Sequence, residues 1–147
     1  MKFIFILFAS ISTILSSCGG NKEKITQKQP IHEHDENQES IELNNGEKWK
    51  VDDEMLVHIR NMERDINSFV TIEQKDYKLL AEKLKLNIDL LTSNCTMKGK
   101  AHDELHKWLL PYIDLVNELS NAKDVTNASK QFENIQASFK TFNQYFQ

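Results

Sequence analysis

An all-α fold, an up-down-up-down four-helix bundle, is what this sequence predicts, and three observations carry that reading. Apolar residues recur at spacings of three and four through four long runs, and no stretch sustains the period-two alternation of a half-buried strand. Glycine is scarce, with four in 147 residues, and Pro111 is the single proline after Pro30. The polar breaks between the runs are short, which favours antiparallel neighbours.

The chain opens with Lys2, an apolar run from Phe3 to Leu15, and then Leu15-Ser16-Ser17-Cys18. A basic start, a short apolar stretch and small residues before a cut mark a signal peptide, here residues 1–17. The run is too short to cross a hydrocarbon layer of about 30 Å comfortably. Leucine three residues before cysteine is the lipobox pattern, so Cys18 is expected to be the acylated (palmitate-type) first residue of a bacterial lipoprotein. Residues 18–45 are polar, aperiodic and rich in Gln, Glu and Asn, which predicts a disordered tether. Such a tether holds its domain on the order of 30 Å from the membrane.

Residues 46–147 are expected to form the bundle, enough chain for one small core. Helix 1 starts at Asp52 as N-cap, with Val51 and Leu56 placed for a hydrophobic staple, and buries Met55, Ile59, Met62, Ile66 and Phe69. The second helix runs from about Glu73 to Thr92 and buries Tyr77, Leu80, Ala81, Leu84, Ile88 and Leu91. Helix 3 covers Lys100 to Ser120, with Ala101, Leu105, Trp108, Tyr112, Val116 and Leu119 inside and a bend expected at Pro111. Helix 4 follows an N-cap at Asp124 and turns Val125, Ala128, Phe132, Ile135, Phe139, Phe142 and Phe146 inward.

Charge narrows the partners. The net charge of −4 becomes −5 once Lys2 leaves with the signal peptide, and that acidity argues against nucleic acid, which would want a basic stripe. Membrane attachment must then rest on the lipid of Cys18 and not on a polybasic patch. The expected place is the cell envelope, with the outer membrane preferred because Gly19 replaces the aspartate that retains some lipoproteins at the inner membrane.

The chemistry concentrates in Cys95-x-Met97-x4-His102-x3-His106. Imidazoles four apart share one helix face and can reach a single ion. Thiolate and thioether are soft ligands that favour Cu(I), while imidazole serves copper and zinc alike. In the expected topology the start of helix 1, the end of helix 2 and the start of helix 3 share one pole. His58, about 9 Å into helix 1, therefore joins Cys95, Met97, His102 and His106 as a fifth donor. The arrangement requires residues 95–99 to be non-helical, for which Gly99 is suited. His32 and His34 in the tether add a weak accessory metal site. Asp103 and Glu104 read as N-terminal charges favoured by the helix dipole.

Asn94-Cys95-Thr96-Met97-Lys98-Gly99 followed by His102-Asp103-Glu104-Leu105-His106-Lys107-Trp108-Leu109 resembles a group of small lipoproteins of Bacteroidota. Asn45-Gly46-Glu47-Lys48-Trp49-Lys50-Val51 and the aromatic C-terminal helix are similar too, so the likeness spans about residues 43–147. It implies an envelope location, a helical fold and proximity to heavy-metal handling.

The function expected is thus non-enzymatic: a lipid-anchored protein that binds copper, or zinc, for sequestration or delivery. The alternative is an interaction lipoprotein that docks another envelope protein without metal. Haem is disfavoured, since helix 4 has neither His nor Met and CxxCH is absent. A hydrolase or redox enzyme built on Cys95 with a histidine base would need an oxyanion pocket, and no glycine-rich loop is present to shape one.

Overall fold

Four α-helices make up the regular structure in the computed structural model, which describes residues 40–147; the signal peptide, Cys18, His32 and His34 lie outside them. They are α1 (Asp53–Val70), α2 (Tyr77–Ser93), α3 (Lys100–Ser120) and α4 (Val125–Tyr145). Each successive pair packs together, α1 on α2, α2 on α3 and α3 on α4. The five residues expected inside α1 are all buried, because their spacing keeps them on one stripe.

Helix starts follow local capping chemistry. Asp76 accepts a 3.0 Å hydrogen bond from the Leu79 amide and Asp124 a 2.8 Å bond from the Asn127 amide. The first of these corrects the expected start of the second helix near Glu73. Lys75 turns back to donate to the carbonyls of Phe69 (2.6 Å) and Val70 (3.0 Å), finishing α1 and holding residues 71–76 out of any helix. Asp52 precedes α1 as expected, yet its carboxylate does not cap that helix and accepts instead from the Thr96 hydroxyl. Before α3, Gly99 takes φ +69° and ψ −158°, a conformation open essentially to glycine alone. Pro111 sits inside α3, which continues unbroken to Ser120.

The core also departs from expectation at named positions. Val125 is 73% exposed, since it begins α4 beyond the apolar surfaces that would cover it. Tyr77 and Ala101 are only half-buried, although the Tyr77 ring packs 5.2 Å from Phe69 and 6.2 Å from Phe132. Leu109, Met97 and Trp49 join the core, where helical periodicity of the neighbouring runs did not place them.

Residues 40–52 form a strap that extends the folded unit back into the stretch expected to be tether. Asn44 and Glu47 exchange backbone hydrogen bonds of 2.9 and 3.0 Å across Asn45 and Gly46, both at positive φ, a tight turn that an Asn-Gly pair suits. Trp49 then bridges in parallel to Phe146: its amide donates to Tyr145 (2.8 Å) and its carbonyl accepts from Gln147 (2.9 Å). The Val51 amide completes this short ladder with a 3.0 Å bond to Gln147. The two ends of the folded unit are thereby tied together.

Side chains carry contact between α1 and α4. Arg60 donates to Asn143 at 2.6 Å and to Glu63 at 2.7 Å, and Asn143 donates back to Glu63. The Arg60 guanidinium lies 5.3 Å from the centre of the Phe142 ring. Phe69 meets Phe132 at 5.1 Å between ring centres farther along the same pair.

Candidate metal centre

Gly99 starts α3, and its carbonyl accepts from the amides of His102 (2.9 Å) and Asp103 (3.1 Å). From there the helix carries His102 and His106 on successive turns of one face. Their rings lie 4.1 Å apart between centroids, tilted by 52°, with His102 half-buried and His106 exposed. A pair at this separation can turn two imidazole nitrogens toward one ion. The contact of His102 with Asp103, 3.9 Å from Nδ1 to an exposed carboxylate, is too long for a hydrogen bond.

The loop before α3 is non-helical from Cys95 to Gly99, as the motif required. Its position is set by Thr96, whose hydroxyl donates to Asp52 and ties the loop to the start of α1. Cys95 is a free thiol, half-buried and packed against the core. Met97 is 9% exposed and belongs to the core itself, so its thioether serves packing where it stands. His58 is half-buried in α1, and its Nδ1 is buried with no hydrogen-bond partner among the described residues. Among the described residues, no three His, Cys, Asp or Glu side chains gather closely enough to hold an ion. Of the five expected donors, His102 and His106 are the two seen in ring contact.

Glu104 is the polar residue that sequence reasoning misplaced. It is 3% exposed, and both oxygens are engaged: Oε2 accepts from the Glu42 amide and Oε1 from Lys107 Nζ, each at 2.9 Å. Burial pulls its pKa upward, but the Glu42 amide, the hydrogen bond and charge of Lys107 and the charge of Lys100 outweigh it and hold the carboxyl below its ordinary value. Lys107 also reaches the Ser40 carbonyl at 3.3 Å, and the Trp49 indole donates to the Glu42 carbonyl at 2.6 Å. Glu104 therefore clasps the strap to α3, and the strap brings Glu42 and Lys100 within 3.5 Å. The available signal was its phase. One residue before Leu105 and four before Trp108, Glu104 borders the buried stripe.

Beside this clasp runs an open groove of about 390 Å³ between α3 and α4, lined by Ser40 and Ile41 of the strap, Trp108 and Pro111 of α3, and Ser138 and Thr141 of α4 among others. The Trp108 indole donates to the Ser138 carbonyl at 2.9 Å along it. No protein-family model matches this chain, and no curated protein or solved structure matches it either.

Proposed function

We propose that this protein is a lipid-anchored binding module of the cell envelope that holds a soft metal ion, copper in preference to zinc, for sequestration or delivery and without turnover. The observation that carries the reading is the His102–His106 ring pair at 4.1 Å on the first turns of α3. The four helices are read as an up-down-up-down bundle, and the Asp52–Thr96 and Trp49–Phe146 contacts support that topology by joining helix ends remote in sequence. The donor set narrows to His102 and His106, with Cys95 the sulfur nearest the surface among the described residues. Met97, buried in the core, would have to turn outward to join them, while His58 offers a buried Nδ1 as a further donor. Cys18 supplies the anchor, and His32 and His34 supply a secondary, weaker binding segment.

A competing reading, docking of an envelope protein without metal, is favoured by the burial of Met97 and by the open groove along α3 and α4. Titration with Cu(I) under anaerobic reducing conditions, in competition with a chromophoric chelator, separates the two. One equivalent should bind, and His102→Ala/His106→Ala should weaken it by at least about tenfold, as expected when outer donors alone cost that much. Cys95→Ser should weaken it if the thiolate completes the site. Binding that ignores the histidine pair would defeat the metal reading and leave the docking one.

A further inference from the structure

Helix α2 carries a second apolar face. Leu79, Leu86 and Leu90 are 49%, 60% and 41% exposed, three of the large aliphatic side chains that the folded unit leaves in solvent. At 100° per residue they fall within an arc of about 40°, centred some 150° from the buried face formed by Leu80, Ala81, Leu84, Ile88 and Leu91. Helix α2 is thus apolar on both sides, and its own fold uses one of them.

The outer spacing is that of a coiled-coil seam. Leu79, Lys83, Leu86 and Leu90 occupy alternate d and a positions, with Lys83 the single polar member. Glu82 and Asp89 then stand at the two g positions, along one edge of the seam. Lys78 and Lys85 lie farther round, roughly 100–120° from the stripe. The charges discriminate between the two ways such a face can meet itself. In an antiparallel pair each edge faces its own copy, which sets the Glu82 and Asp89 edge against an identical acidic edge. In a parallel pair the two Lys83 side chains share one layer, and because the a residue of one helix lies beside the g residue of the other, each lysine leaves the seam toward Glu82 of the second copy, one such pair on each side.

We propose that a second copy of this chain covers the Leu79–Leu86–Leu90 face, forming a parallel dimer through α2 in which Lys83 of each copy pairs with Glu82 of the other. A parallel pair sends both Ser40 residues out at the same end, which suits two copies held through Cys18 on one bilayer. The pairing itself does not depend on that anchor, nor on the metal.

Sedimentation equilibrium of the chain from residue 18, with Cys18→Ser to leave it unacylated, tests the proposal. Two copies should associate reversibly, and Leu86→Glu should weaken the association by more than about tenfold by burying a charge in the seam. Lys83→Glu should do the same by massing acids there, and Glu82→Lys/Lys83→Glu should restore it because the pairing is merely exchanged. All of these positions face solvent in the single chain, so circular dichroism should be unchanged. Leu79→Cys in a Cys95→Ser background should oxidise to a covalent dimer, which an antiparallel pair, opposing Leu79 to Leu90, would not form. A chain that stays monomeric to the highest concentration reached overturns the proposal. So does a dimer indifferent to Lys83→Glu, or one in which Leu79→Cys does not cross-link.

Discussion

Two buried polar groups make opposite demands on the core. Glu104 is satisfied at both oxygens, so Glu104→Gln removes the charge from two charge-assisted bonds and should cost about 1.5–3 kcal/mol at neutral pH. Because the folded protein holds this carboxyl below its ordinary value near 4.3, its contribution is complete above that pH and is lost as pH falls through the lower folded value. Denaturant melts of the two proteins should therefore differ at pH 7 and draw together in acid; a gap that stays constant all the way down the acid range would contradict the assignment. Tyr112 is the converse case. Its hydroxyl is buried and finds no hydrogen-bond partner among the described residues, and burial, with some help from the Asp65 charge, drives its pKa far above the ordinary tyrosine value. Tyr112→Phe should leave stability unchanged or raise it, since it deletes an unpaired polar atom and keeps the stacking on Trp108 at 5.0 Å. A loss above about 1 kcal/mol in thermal denaturation would reveal a partner for that hydroxyl.

At the scale of the element, the aspartates that precede the helices do different work. Asp76 and Asp124 cap α2 and α4 through side-chain bonds to the third residue on, whereas Asp52 holds the loop before α3 through Thr96. A double-mutant cycle on Asp52→Ala and Thr96→Val should accordingly show coupling of about 0.5–3 kcal/mol, and Asp76→Ala should be additive with either. Zero coupling between residues 52 and 96 would remove the contact that sets the α2–α3 loop against α1. Sequence could not tell these aspartates apart, because the cap preference is local while the Thr96 hydroxyl arrives from 44 positions away. It did locate the starts of α1, α3 and α4, where an N-cap or Gly99 precedes a periodic run. The start of α2 was missed because Lys75, reaching back to Phe69, decided where α1 ended.

Across the whole molecule, the strap and the C-terminus act as a single clamp. Trp49 is buried, pairs with the backbone of residues 145 and 147, and donates its indole N–H to Glu42. Trp49→Ala should cost about 3–5 kcal/mol by leaving a large cavity. For a domain of this size each kcal/mol is worth roughly 4–8 °C in Tm. A fall of only a degree or two would mean that the strap rides on the domain without holding it. The helical class, the stripe of α1, that of α4 from Ala128 onward and the His102–His106 pair were legible in sequence alone, because each depends on spacings within one element that 3.6-residue periodicity converts directly into a face. Which of the expected donors come together was not legible. Met97 in the core, Glu104 in its clasp and Trp49 against Phe146 are settled by contacts between segments far apart in the chain. Their free energy comes from mutual burial and hydrogen bonding, which arise only once the helices have packed.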